Sequence, residues 1–162
     1  FLFFFFCSFT KRYMRLWMKF ARLSSHQQPG HAERFSTAIS LMSKLENVRI
    51  STVGGKNVEL LSVCQEFTRL MSGGRMTCCK SGKDRTSMSV TLECSKLMLN
   101  ETNVVAMNPH HLLSVFRRRG VRRQNLIKNI KKPYYAFNQI QWMNLPKMYR
   151  PPNGCYGSGV HS

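Results

Sequence analysis

The stretch from Gly73 to Leu99 limits the possible folds of this chain more than any other part of it. Leu60, Cys64, Phe67 and Met71 recur at spacings of four, three and four, an apolar helical stripe that Gly73–Gly74 should end. Arg75-Met76-Thr77-Cys78-Cys79 then suits a short strand, and Lys80-Ser81-Gly82-Lys83-Asp84-Arg85 is polar and glycine-bearing. From Thr86 to Leu99 helical phase returns, with Met88, Leu92 and Leu99 on one stripe. The expected order is helix, strand, tight loop, helix. Such an order predicts an α/β domain, a parallel central sheet flanked by helices with Cys79 at the C-terminal end of a strand. Residues 1–55 would have to supply the remaining strands, which makes an incomplete sheet the expectation.

The loop is not a nucleotide-binding P-loop. That motif needs a glycine five positions before Gly82 and a hydroxyl after Lys83, where this chain has Thr77 and Asp84. It reads instead as a cysteine with an arginine six positions later. Backbone N–H groups of Lys80, Ser81, Gly82 and Lys83 could turn inward as an anion nest, and the following helix adds its positive end. The same field would favour a thiolate at the start of the loop, making Cys79 a nucleophile. Gly82 allows the φ values that a tight loop demands. Arg85 could hold two phosphoryl oxygens with its planar fork. Asp84, the single aspartate in the chain, stands where an in-loop general acid could stand. It could equally pair with an arginine or cap the helix. Thr86 or Ser87 could place a hydroxyl near the thiolate, or cap the helix. Lys80 and Lys83 suggest a substrate with more than one phosphate.

Composition narrows the partner. The 162 residues suffice for one domain, and 25 Lys+Arg against 7 Asp+Glu give a formal net charge of +18. That excess suits a polyanion: nucleic acid, an anionic membrane face or a phosphorylated small molecule. No aromatic-basic nucleic-acid motif is present, so nucleic acid is not expected as a partner. The chain opens on Phe1 rather than Met, as a piece of a longer chain would. The run Phe1–Phe9 is too short to span a membrane and lacks the flanks of a signal peptide, so it reads as a buried strand or as an artefact of gene prediction. The six cysteines form no C-x-x-C pair and read as reduced thiols, with no spacing suited to zinc. Adjacent His110 and His111 read as structural. Asn108–Pro109 should start a helix carrying Leu112, Leu113 and Phe116, with Gly120 as its left-handed cap. Arg117, Arg118, Arg119, Arg122 and Arg123 read as a solvated face, or as one turned to phosphate or membrane. A last helix is expected over Tyr135 to Asn144, before an irregular tail with Pro146, Pro151 and Pro152.

Cys78 through Glu93 (CCKSGKDRTSMSVTLE) closely resembles the catalytic segment of the inositol polyphosphate 4-phosphatases. Tyr135-Ala136-Phe137-Asn138, Leu145-Pro146-Lys147, Tyr149-Arg150-Pro151-Pro152, Gly154 and Tyr156-Gly157 resemble the family's C-terminal end, with Ala32-Glu33-Arg34-Phe35 a weaker upstream match. The likeness covers roughly 29–162. It divides the chain into an atypical aromatic and basic segment, 1–28, and a partial cysteine-phosphatase domain, 29–162. Gly82 stands where the family is expected to have alanine.

The resemblance implies a cysteine-phosphatase fold and a magnesium-independent reaction without cofactor, passing through a cysteinyl-phosphate. It implies phosphatidylinositol 3,4-bisphosphate as substrate, losing its 4-phosphate, with Cys79 as nucleophile and Arg85 as phosphate binder. Lys80 and Lys83 would face the inositol phosphates. The myotubularin lipid phosphatases also use an aspartate before the arginine, which favours the acid role for Asp84. A cytoplasmic enzyme held peripherally at an anionic endosomal or plasma membrane follows. Two alternatives stay open: a dual-specificity protein phosphatase, although Cys78 replaces the usual histidine, and a catalytically inactive basic module that binds anionic lipid or another polyanion.

Overall fold

The computed structural model describes residues 19, 31–51, 58–77, 79, 82–101 and 108–157. The expectations for Phe1–Phe9 and for Lys80 and Ser81 fall outside those residues. The chain divides into two compact units, Phe1–Gly73 and Gly74–Ser162.

In the first unit, α1 (His31–Ser51) and α2 (Glu59–Leu70) pack on each other. Ala38, Leu45 and Val48 of α1 are buried with Leu60, Val63 and Phe67 of α2. The α1 residues follow at seven and three, and the α2 residues at three and four, so each helix turns one apolar stripe inward. Leu41, Met42, Cys64, Leu70 and Met71 pack around this core. Each fully buried aliphatic or aromatic side chain here contributes about 1.5–3 kcal/mol. Helix α2 ends just before Gly73–Gly74, as expected. The left-handed residue is Ser72, φ 51°, and not a glycine. Gly73 N–H reaches Thr68 O at 2.9 Å and Ser72 N–H reaches Arg69 O at 2.9 Å, the paired bonds of a Schellman cap.

The second unit contains α3 (Asp84–Glu101), α4 (Pro109–Arg119), α5 (Val121–Ile130), α6 (Gln139–Asn144) and a 3-10 turn at Lys147–Tyr149. Met88 and Leu92 on α3 are buried, as are Leu112 and Leu113 on α4, the helix that packs beside it. Serine and threonine sit within α3 because their hydroxyls turn back onto its carbonyls. Thr91 Oγ1 donates to Ser87 O at 2.7 Å and Ser95 Oγ to Leu92 O at 2.9 Å. Asn108 caps α4 as expected, accepting from His110 N–H at 2.9 Å.

The expected α/β architecture with a central sheet is overturned: among the described residues there is no strand, and the elements are helices. A strand persists only beside a partner that satisfies its backbone groups. Of the stretch expected to supply such partners, residues 31–51 form α1 instead. Arg75–Thr77 runs without a ladder, tied by an ion pair from Arg75 to Glu93 on α3. Among the described residues the nearest approach to a sheet is an isolated parallel bridge between Tyr135 and Tyr156, where Tyr135 N–H donates to Cys155 O at 2.8 Å.

Two local expectations also change. Gly120 is extended, φ −75° and ψ 167°, and serves as N-cap of α5, a helix the sequence did not announce. A Cβ at Gly120 would lie 2.1 Å from Phe116 O, so close backbone approach is what requires glycine there. The last helix begins at Gln139 rather than Tyr135, because Asn138 and Gln141 form a capping box.

Candidate functional site

Two backbone bonds shape the loop between Arg75 and α3. Gly82 N–H donates to Cys79 O at 3.0 Å, closing a turn. Cys79 N–H donates to Thr86 Oγ1 at 2.8 Å, joining the first loop residue to the first turn of α3. Thr86 is thus an acceptor for the backbone of Cys79. Gly82 has φ +63° and a Cβ there would touch nothing within 4 Å, so conformation and not space favours glycine. Cys79 is a half-buried thiol; Lys83 and Arg85 are exposed. Cys79 therefore stands at the N-terminal end of an 18-residue helix, where the backbone dipoles favour negative charge.

Asp84 is turned into the protein. Only 4% exposed, it meets Arg122 of α5 through Oδ1, with Nε at 2.6 Å and Nη2 at 2.5 Å. Its Oδ2 accepts from Ala136 N–H at 2.8 Å. The residue beside Arg85 thus joins three segments: the start of α3, the start of α5 and the chain after Pro133. Sequence reasoning left an arginine partner open for Asp84 but did not identify Arg122. A usable signal existed, since a lone aspartate among so many guanidiniums finds one wherever the fold buries it.

A second arginine does comparable work behind the loop. Arg117 is 2% exposed and makes four bonds to neutral acceptors. Nε reaches Thr91 Oγ1 at 3.1 Å, and Nη1 reaches Arg150 O at 2.7 Å. Nη2 reaches Met88 O at 3.0 Å and Met148 O at 2.6 Å. Burial pulls its pKa down to about 10, which leaves it charged at neutral pH. Tyr135, also buried, donates its hydroxyl to Arg117 O at 2.8 Å, and burial pushes the phenol up from its ordinary value against a hydrogen bond with Ser87. The arginine run is therefore divided: Arg117 and Arg122 are structural, while Arg118 and Arg119 are exposed.

Among the described residues no cluster of His, Cys, Asp or Glu could hold a metal ion. No helix among them is long and apolar enough to cross a membrane.

The family model for the INPP4A C-terminal domain matches residues 18–149. Over 131 residues, 80% of this chain, the sequence is 43% identical to inositol polyphosphate 4-phosphatase type II of Homo sapiens. Identity is also 43% to the type II inositol 3,4-bisphosphate 4-phosphatase of Pongo abelii and 42% to that of Rattus norvegicus, each over 80% of this chain. The aligned part spans 14% of the length of each relative. No solved structure matches. With a match that runs from before α1 to the end of the 3-10 turn and takes in the whole cysteine loop, the chain belongs to the inositol polyphosphate 4-phosphatase family, through its C-terminal domain.

Proposed function

We propose that this chain carries the catalytic loop of a cysteine-dependent phosphoinositide 4-phosphatase acting on phosphatidylinositol 3,4-bisphosphate. The observation that carries the reading is the bond from Cys79 N–H to Thr86 Oγ1, which ties the backbone of Cys79 to the first turn of α3. The relatives' names, inositol 3,4-bisphosphate 4-phosphatases, support the substrate class.

In this reading the Cys79 thiolate attacks phosphorus of the 4-phosphate. An S–P bond forms and the inositol O–P bond breaks, and the leaving oxygen takes up a proton. Water then cleaves the cysteinyl-phosphate and releases inorganic phosphate. Arg85 holds the phosphoryl oxygens, and Gly82, whose N–H closes the turn onto Cys79 O, shapes the loop around them. Lys80 and Lys83 pair with the 3-phosphate, Ser81 lends its backbone to the nest, and Thr86 keeps Cys79 in place. The enzyme would work peripherally at an anionic membrane from the cytoplasmic side.

Asp84 has two candidate roles, proton donor and anchor. Its bonds to Arg122 and Ala136 N–H favour the anchor, a positioning residue that fixes the turn bearing Arg85. The test is phosphate release from short-chain phosphatidylinositol 3,4-bisphosphate and from p-nitrophenyl phosphate, whose leaving group needs no proton. Cys79→Ser should abolish release from both substrates. Asp84→Asn should lower kcat on both by about tenfold or more if it positions the loop. A loss confined to the lipid, with an altered pH profile, would make Asp84 the acid. Equal lipid hydrolysis by wild type and Cys79→Ser would end the thiol mechanism.

A further inference from the structure

The C-terminal third of the chain is one-sided in charge. From Thr102 to Ser162 the sequence contains Arg117, Arg118, Arg119, Arg122, Arg123, Lys128, Lys131, Lys132, Lys147 and Arg150, and no Asp or Glu. The structure occupies part of this set internally. Arg117 is buried, Arg122 holds Asp84, and Arg150 lies 4.7 Å over the ring of Trp142 while bonding Leu145 O. Arg119, Lys128, Lys131 and Lys132 are left exposed on and around α5.

The exposed side of α5 is not purely polar. Only Leu126 turns into the core, 3% exposed. At 100° per residue, Val121, Gln124 and Lys128 lie on the side opposite Leu126, with Ile127 at its edge. Val121 is 71% exposed and Ile127 47%. Ile130 and Tyr134 are also well exposed. Aliphatic side chains interleaved with lysines, on a helix that carries no acid of its own and whose contact with Asp84 is taken up by Arg122, match a surface whose headgroups are anionic and whose interior is apolar. A nucleic acid would meet the lysines but give Val121 and Ile127 nothing to bury into.

We infer that the outward face of α5, with the Lys131–Lys132 turn that ends it, docks on an anionic lipid bilayer. Val121 and Ile127 enter the headgroup boundary while Lys128, Lys131 and Lys132 pair with lipid phosphates and carboxylates. The biological use of this face rests on the phosphatase reading above, but its geometry does not. Arg122, in the first turn of α5, holds Asp84 next to Arg85. A bilayer seated on α5 would therefore meet an element tied directly to the loop that takes the headgroup phosphate.

The test is co-sedimentation of the full chain, as Cys79→Ser, with phosphatidylcholine vesicles and with four-to-one phosphatidylcholine–phosphatidylserine vesicles that contain no phosphoinositide. Binding to the anionic vesicles alone is expected. Changing Lys128, Lys131 and Lys132 together to Gln should weaken it about a hundredfold at low salt, near a fivefold factor per lysine. A charge-matched control, Lys19, Arg69 and Lys96 to Gln, should weaken it by far less. Val121→Ser with Ile127→Ser should cost roughly tenfold, and that loss should persist at high salt, where lysine effects are screened. Circular dichroism checks that each variant retains its helices.

Equal losses in the α5 and control variants would overturn the inference, leaving attraction by net charge alone. Tighter binding to a single-stranded oligonucleotide than to the vesicles at the same salt would assign the face to nucleic acid and overturn it too. Catalytic failure is read separately: a chain that releases no phosphate but binds anionic vesicles through α5 keeps this inference and loses the phosphatase reading.

Discussion

The two units hold themselves together by different means. In Phe1–Gly73, two helices close on six buried apolar side chains, and the polar bonds to Arg34, from Nη2 to Leu70 O at 3.0 Å, lie at the exposed rim. Gly74–Ser162 also buries Met88, Leu92, Leu112, Leu113, Leu126 and Phe137. Its C-terminal segments after α5, however, are mostly irregular and are fastened by guanidinium forks. Arg117 gathers Met88, Met148 and Arg150 through their carbonyls, Arg122 gathers Asp84, and Arg118 reaches Asn153 O at 3.2 Å. Helix stripes meet chiefly by apolar burial, with the Arg34 bond and an exposed Lys44–Glu59 ion pair at 3.4 Å on the rim. A tail that makes almost no regular structure keeps its carbonyls available, and a buried arginine supplies up to five donors at once.

The sharpest way to break that comparison is to remove one fastener from each unit. Arg117→Leu leaves buried acceptors on Thr91, Met148 and Arg150 without their donor and should destabilise the protein by about 3–5 kcal/mol. Val63→Ala deletes apolar contact in the helical pair and should cost about 2 kcal/mol. Urea unfolding midpoints measure both. Arg117→Lys refines the result, because it keeps the charge and loses the fork. A lysine variant close to wild type would mean that charge, and not geometry, holds the tail. A Val63 effect as large as that of Arg117→Leu would erase the proposed difference between the units.

The same contrast decides what could be read from the sequence. Helix α2 was legible because burial repeats with the helical period: Leu60 and Phe67 lie in the core and Cys64 and Met71 pack against it. Helix α3 was legible for the same reason, and α4 through its Asn108 cap. The loop's turn was legible, since Gly82 adopts the positive φ expected of it; the chemistry read from Cys79, Arg85 and Thr86 is a proposal. The sheet was not, because Arg75–Cys79 satisfies a strand's local preferences while strandhood depends on partners elsewhere in the chain. Arg117 and Arg122 were hidden in a charge run. Nothing in RRRGVRR marks which guanidinium turns inward, because their acceptors are backbone carbonyls, which every residue carries. Gly120 misled for a related reason: its glycine serves a close approach to Phe116 O and not a left-handed turn.

A smaller effect probes the fastening of Arg117 from behind. Tyr135 donates to Arg117 O, and burial raises its pKa above the ordinary 10.0. An acid whose folded pKa is raised stabilises the protein fully below its unfolded value, and that contribution disappears as pH climbs through the folded value. Tyr135→Phe should therefore cost about 1 kcal/mol at pH 8. The gap to wild type should close as the pH rises past 10.0. Arg117 works in the opposite sense over the same range. Its folded pKa is lowered to about 10, so stability gained there rises with pH. Both proteins carry Arg117, so the difference between their pH profiles reports the phenol together with its electrostatic coupling to Arg117. A gap that stays constant into the alkaline range would mean that packing of the ring, and not its hydroxyl, is what Tyr135 supplies.

The smallest effect lies in the helical pair, and its sign is opposite. Ser72 closes α2 in the left-handed region at φ 51°, while glycines follow immediately at 73 and 74. A serine there costs energy that a glycine would not, because Cβ crowds the backbone when φ is positive. The bonds that form the cap come from the backbone of Ser72 and Gly73, so glycine at 72 would keep both. What serine adds is a hydroxyl 3.5 Å from Arg34 Nη2, a long and exposed contact worth little. Ser72→Gly should therefore stabilise the chain by about 0.5–1 kcal/mol, offset in part by the greater freedom of the unfolded chain. A rise in the urea midpoint with an unchanged slope would show that the first unit tolerates edits to its polar rim because its apolar stripe does the holding. A fall would mean that the Arg34 contacts fasten this unit as arginines fasten the other, and the contrast between the two would narrow to one of degree.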